Sequence, residues 1–462
     1  MASGKKRKDT KTEKQLERRK KRHKAKGKLK RRNAGERKKK ENIEKKTGER
    51  AEKKVGKIKR KARREEAKRL ELQQTNLEER GTKRIALEGH TSPTFTPIRF
   101  QTPHPAFATR LLVPSPATNM EAAKVGKVLH LPSNPAGQMS TQALALRALG
   151  VPVSFVTYSS SNRYGYPVDL PSPLNGVTSS EQDAAMMTYA MEAAHEYDLF
   201  HFHSGQTFTY TSYAYTDLPY LNLFKKKMVM SFWGSEIRRL SIAKKNNPFA
   251  RARILDEKEI LERLHVLSHY MNAVIAPDYE MYEYLRGYFK RVYLVRQAVE
   301  PRNYSPLYPV DSKRPLVVHA PSHTYIKGTE YLVQAVERLK KSVDFDYIQV
   351  ENMPHAEAVK IYQKADIIVD QLCLGIYSIF PIEAMLLGKP VITFIRDDLR
   401  KTYPSDLPIV SANPLTIQDT LHGLLTNPLK RYHLGIRGRQ YALKHHNPET
   451  IARQLVSIYN RL

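Results

Sequence analysis

"DQLCLGIYSIFPIEAMLLGKPVI", residues 370–392, holds the single cysteine of the chain, Cys373, and a glycine, Gly375, followed eight positions later by Glu383. Three readings are open: a catalytic cysteine loop, a buried strand with its turn, or a loop that binds a phosphorylated ligand. The run "DIIVDQ" (366–371) is short, apolar and β-branched, the pattern of a buried strand. "LCLGIYSIF" then makes the loop at its carboxyl end, and "PIEAMLLG" a short helix closed by Gly388. Open α/β sheets bind ligands at the carboxyl ends of their strands, and helix N-termini attract phosphate through free N–H groups. Glu383 is expected near the start of that helix, where it either accepts ribose hydroxyls or only complements the dipole. A nucleophilic cysteine needs a base and an orienting partner, and no histidine lies near Cys373 in sequence. It is read as a small loop or core residue.

Outward from this stretch the same texture repeats. Apolar runs alternate with helical patterns: "KVLHLP" (127–132), a helix over 138–149, "VPVSFVTY" (151–158), a helix near 180–196 and "YDLFHFH" (197–203). "KMVMSFW" (227–233), a helix near 251–270, "NAVIAP" (272–277) and "RVYLVRQ" (291–297) complete a first set. Residues 298–315 carry four prolines and read as a hinge. A second set follows, with "PLVVHAP" (315–321), a helix over 328–340, "FDYIQVEN" (345–352), a helix over 353–365, "DIIVDQ", a helix around Glu383, "KPVITFI" (389–395) and closing helices. The expected fold class is α/β: two doubly wound domains facing a cleft that holds the active site. The boundaries read as 124–304 and 305–446, with a last helix over 447–462 returning to the first domain.

The 462 residues carry a formal net charge of +32, distributed unevenly. Of 78 Lys/Arg, 35 fall in residues 1–80 with 13 of the 46 Asp/Glu, a local net of +22. This polybasic tail, 1–85, contains no Phe, Tyr or Trp and cannot build a core, so it reads as disordered or as a solvated helix. Residues 86–123 read as a linker, with six prolines in 91–119. One cysteine excludes a disulfide framework and a cysteine-based zinc site, and fits a reducing cytoplasm. No stretch approaches the ~20 apolar residues of a membrane span, so a cytoplasmic protein, at most peripheral at the inner membrane surface, is expected.

"ADIIVDQLCLGIYSIFPIEAMLLGKPVI" resembles the donor-binding segment of the retaining glycosyltransferases of family four, which have the GT-B fold of two Rossmann-like domains. That family's pattern is E-x7-E followed by A-M-A-x-G-x-P-V-I, and "EAMLLGKPVI" (383–392) matches its second half. The resemblance implies that Glu383 holds the nucleotide ribose. The first glutamate, a contact to the donor sugar, falls on Gly375, with Ile376, Tyr377 and Ser378 beside it. "VVHAPSHTYIKGTEYLVQAVERL" (317–339) is similar to the family's pyrophosphate-gripping segment. Lys327, followed by Gly328, takes the lysine position, whereas the arginine position is Ser322, with His323 next to it as a further donor.

In the first domain, "HLPSNPAGQMSTQALALRALGVPVSFVTY" resembles the family's opening strand, loop and helix, placing Gly137 and Gln138 at the cleft. "YDLFHFHSGQTF" (197–208) resembles the segment that brings His203 to the reacting sugar, and "SFWGSEIRRL" (231–240) the next strand and loop, with Trp233 and Glu236 on the acceptor side. His201 and His203 share one strand face, but the sequence supplies no third metal ligand beside them. "DFD" (344–346) precedes a buried strand and is read as a chance match to a metal-binding D-x-D.

The resemblance covers about residues 125–462 and implies a metal-independent hexosyltransferase. It would use no cofactor, transferring a sugar from a nucleotide sugar to an unspecified acceptor with retention of configuration. Two departures, Gly375 and Ser322, keep open a GT-B binding protein without catalysis. The tail keeps open a protein whose partner is a nucleic acid, an acidic polymer or an anionic membrane surface. Its lack of aromatics argues against base-specific recognition.

Overall fold

In the computed structural model, which describes residues 108–159, 165–209 and 215–462, nearly every apolar run becomes a strand. These residues lie in one unit, Phe100–Leu462. The polybasic tail and residues 86–107 of the expected linker lie outside the described residues.

Seven strands form the first sheet: Arg110–Leu112 (β1), Val128–Leu131 (β2), Val153–Phe155 (β3), Leu199–His203 (β4), Lys227–Ser231 (β5), Ala273–Ala276 (β6) and Arg291–Leu294 (β7). Their order is β1-β7-β6-β5-β4-β2-β3, and every pairing is parallel. Four more form the second sheet, also all parallel: Leu316–His319 (β8), Asp346–Gln349 (β9), Ile367–Val369 (β10) and Val391–Ile392 (β11), in the order β11-β10-β8-β9. Central parallel strands are covered on both faces, which is why β2, β4, β6 and β10 are continuous apolar or buried runs. This is the GT-B architecture.

Two differences from the sequence reading have local causes. Residues 110–112, within the stretch read as linker, pair in parallel with β7 and extend the first sheet by one edge strand. An edge strand of three residues lacks the length that periodicity needs. The helix expected from residue 251 starts later, at Glu257–Tyr270, because Asp256 accepts a hydrogen bond from the Lys258 amide and caps it.

The last helix, Pro448–Tyr459, follows the second domain in sequence but belongs to the first in packing. Ile451, Ala452, Leu455, Val456, Ile458 and Tyr459 share a core with Val128, Met139, Leu146, Val153 and Tyr293. Within the first half, the Gln138 side-chain amide donates to the Ala298 carbonyl at 2.8 Å and accepts from its amide at 2.9 Å. Between the halves, Arg396 reaches Glu283 at 2.7 Å, and Asn247 donates to the Cys373 carbonyl at 2.8 Å. The cleft is therefore held by contacts that tie the loops after β10 and β11 to the first domain.

Candidate active site

A cleft of about 750 Å3 opens where the carboxyl ends of strands from both sheets meet. From the first sheet it is lined by Pro135, Ala136 and Gln138 after β2, and by Trp233 and Gly234 after β5. From the second it is lined by Ser322, His323 and Lys327 after β8, by residues 350–353 after β9, and by Gln371, Ile376, Ser378 and Glu383 after β10.

Lys327 ends the short helix Thr324–Lys327, and Gly328 follows with φ +72°. A left-handed residue here lets the chain turn directly into the helix Thr329–Leu339, and any Cβ would lie 2.7 Å from Cys373 Sγ. The turn leaves Lys327 nearly buried, with its Nζ donating to Asp370 Oδ1 at 2.6 Å and to Ser378 Oγ at 3.3 Å. Ser378 in turn donates to Asp370 Oδ2 at 3.2 Å. Asp370 and Ser378 flank the opening loop, so the strand end, the loop end and the lysine form one polar unit. Asp370 was not singled out by the sequence; its place as the residue immediately after β10 was the available signal.

Glu383 does not begin its helix. It is the fifth residue of Ile379–Leu386, beyond the first turn where the dipole acts, so the dipole reading of this glutamate does not hold. Its buried carboxylate accepts from Tyr304 Oη at 2.8 Å and His355 Nε2 at 3.0 Å, both on Oε1. Among the described residues Oε2 has no hydrogen bond and stays available to a ligand. The Glu383 hydrogen bond raises the pKa of His355 above its ordinary value. Burial, reinforced by the Glu383 charge, raises that of Tyr304. Both were missed in the sequence because they come from the hinge and from the start of the helix His355–Lys364, each far from Glu383 in the chain.

Gly375 does not line the cleft. It has φ +84°, and a Cβ built on it would lie 2.6 Å from Arg396 Cγ. Arg396 fills the space of a side chain, held by Glu283 and Asp398 and donating its amide to the Gly375 carbonyl at 2.9 Å. Tyr377 is buried and faces away, its hydroxyl bonded to Tyr441 and to His446 Nε2. Cys373 is buried too, and burial pushes its thiol up to about 11. A neutral, enclosed thiol is inert, as its sequence context indicated.

In the first domain Gly137 lies under the Tyr166 ring rather than in the lining. Glu236 folds back onto its own turn, accepting from the amides of Trp233 and Gly234. Arg238 reaches the cleft with its guanidinium fixed by Glu280 at 2.7 and 2.8 Å. Arg251 and Arg253 add positive charge; Arg251 is paired with Glu330 across the cleft. His203 is fully buried and does not line the cleft; it lies one ring behind Trp233, 6.0 Å away and nearly parallel. The third histidine that the sequence did not supply is His130, on the neighbouring strand β2, where parallel register sets it opposite His201. Asp344 and Asp346 of "DFD" pair with Arg314 at the surface.

No known protein family and no curated protein sequence matches the chain. Among solved structures it is similar to sucrose-phosphate synthase from Thermosynechococcus elongatus, with TM-score 0.50 and 16% identity over 72% of this chain and 98% of that one. It is also similar to HepE of Anabaena in a complex with UDP-glucose, with TM-score 0.49 and 11% identity over 73% of this chain and all of that one. A UDP-N-acetylglucosamine 2-epimerase gives TM-score 0.45 and 13% identity over 72% and 94%. At such identities the likeness is one of fold. Among the described residues no helix is long and apolar enough to cross a membrane.

Proposed function

We propose that the protein is a glycosyltransferase that moves a sugar from a nucleotide-activated donor to an acceptor hydroxyl, with retention of configuration, as members of family four do. The observation that carries this reading is the joining of Lys327, Asp370 and Ser378 beside a buried Glu383 in one cleft between two Rossmann-like halves. A nucleoside diphosphate needs a cation at its phosphates and a carboxylate at its ribose, and the cleft offers both.

Lys327 has three N–H groups. Asp370 and Ser378 take two; in this reading the third goes to a diphosphate oxygen, supplemented by amides at the start of the helix Thr324–Lys327 and by the exposed His323. A positioned cation stabilises the charge that grows on the leaving diphosphate, a contribution often worth ~3 kcal/mol per donor. In this reading that diphosphate takes the proton of the acceptor as the glycosidic bond breaks. Glu383 Oε2 accepts a ribose hydroxyl while Tyr304 and His355 hold Oε1. The sugar meets no glutamate at residue 375, so in this reading cleft residues on the first domain, Trp233 among them, select it. A second cavity of about 850 Å3, sharing Ala136, Gln138, Tyr166, Ile379 and Glu383 with the first, adjoins the cleft on the hinge side and gives an acceptor room to approach.

The test is mass spectrometry after incubation with a panel of nucleotide sugars and a mixed acceptor pool. Donor consumption with a glycosylated product supports transfer. Nucleotide binding without consumption of any donor would leave a GT-B binding protein in its place.

A further inference from the structure

His130, His201 and His203 are each fully buried on adjacent strands of the first sheet, and their ring nitrogens lie close enough to suggest a metal site. Ring orientation argues against one. The His201 and His203 rings are stacked 4.5 Å apart at an interplanar angle of 15°. Imidazole lone pairs lie in the ring plane, so two stacked rings cannot both aim at one ion.

The facing atoms instead pair in series. His203 Nε2 meets His130 Nδ1 at 3.2 Å, and His130 Nε2 meets Tyr459 Oη at 2.9 Å. Tyr459 Oη also meets His201 Nδ1 at 2.7 Å, and His201 Nε2 meets Ser231 Oγ at 2.7 Å. Burial holds all three imidazoles neutral, with His130 lowered to about 3 and the other two well below their ordinary value. Each ring therefore carries one proton, and with the buried Tyr459 hydroxyl proton used within the series, one choice of direction fixes every bond. His203 Nδ1 is the nitrogen left over, buried and, among the described residues, without a partner. If the series runs from Ser231 toward His203, that leftover is an orphaned N–H. If it runs the other way, the leftover is only an unused lone pair. A buried N–H without a partner is the costlier of the two, so the second direction is favoured.

We propose that Tyr459 is a positioning residue for His203: its hydroxyl, accepting from His130 and donating to His201, directs the chain His203–His130–Tyr459–His201–Ser231 so that His203 keeps its proton on Nε2 and presents a bare Nδ1 beneath the cleft. The bare nitrogen can accept a hydrogen bond but cannot donate one, and it is buried behind the Trp233 ring rather than in the cleft lining. Because Tyr459 ends the helix that crosses over from the second half, docking of that helix and the state of His203 are coupled. The tautomer does not rest on the transferase reading.

The test uses the full chain labelled with 15N-histidine, with long-range 1H–15N spectra reporting which ring nitrogen is protonated and the His203 signal assigned by its loss in His203→Asn. We expect a single Nε2–H tautomer in the wild type. Tyr459→Phe keeps the packing but leaves one orphaned N–H in either direction, so the tautomer preference of His203 should fall at least about tenfold, to a mixture. Ser231→Ala removes the far end of the chain and should act in the same way, so the test survives if Tyr459→Phe does not fold. A wild-type His203 protonated on Nδ1, or an unchanged spectrum in both variants, overturns the proposal. So does a stoichiometric rise in Tm when Zn2+ is added to EDTA-treated protein, since an ion would displace the protons of the chain. All these readouts stand without turnover, so a failure of the transferase reading is distinguishable from a failure of this one.

Discussion

At Lys327 an ammonium that the family resemblance assigns to phosphate already has a carboxylate at 2.6 Å. Asp370 offsets its charge but fixes its direction, and a buried ammonium without that partner would be costly. Lys327→Ala should therefore lower turnover by about two to three orders of magnitude, with the far-UV spectrum unchanged; near-normal rates would remove the role. Gly375 shows the opposite case, a residue whose meaning lies in what it lacks. With φ +84° and Arg396 at 2.6 Å from any Cβ, Gly375→Ala should destabilise the fold by about 1–3 kcal/mol in chemical denaturation. An unchanged midpoint would show that the Arg396 side chain yields freely. The glycine at 375 was legible in sequence, but the side chain that leaves no room for a Cβ there, Arg396, lies 21 positions further on.

At the scale of elements, the runs around β2, β4, β6, β8 and β10 were legible because parallel strands covered on both faces are uniformly apolar. The three-residue β1 was hidden by the prolines around it and by its short length. The helix Ile379–Leu386 shows how a shift of a few residues changes chemistry: at its fifth position Glu383 escapes the dipole and meets Tyr304 and His355 instead. The closing helix contributes a core face to the first domain. Leu455 is fully buried in it, so Leu455→Ala should cost about 2–5 kcal/mol. The loss should appear in hydrogen exchange of β2 and β3, which share that core, as well as in the helix itself. Protection lost from the helix alone would mean that it is an appendage.

Over the whole molecule, charge is buried where the halves meet. Asp278 caps the helix Tyr279–Leu285, and burial, with Glu280 nearby, pushes its carboxyl up to about 7. The folded protein thus retains a proton that the unfolded chain releases near pH 4. Stability from this group is full below that value, falls as pH rises toward 7, and is lost above it. Asp278→Asn keeps a capping oxygen for Met281 and should flatten the decline of Tm between pH 4 and 7 and raise Tm at pH 8 above that of the parent. A variant with the parent's pH profile would locate the proton elsewhere. At the other end of the chain, a truncation lacking residues 1–85 should retain full transfer activity while losing binding to anionic vesicles or DNA in low salt. Loss of activity would bring the tail into the catalytic unit.

By itself the sequence determined the alternation of strands and helices, the two parallel sheets and the candidacy of Lys327 and Glu383, because periodicity and short motifs are local properties of the chain. Tertiary structure alone decided which groups stand beside them: Asp370 at Lys327, Tyr304 and His355 at Glu383, Arg396 over Gly375, and His130 and Tyr459 around His201 and His203. Those partners come from different strands and helices, up to 329 positions apart in the case of His130 and Tyr459. Hydrogen-bond geometry and excluded volume act through space, so no local pattern in the sequence encodes them.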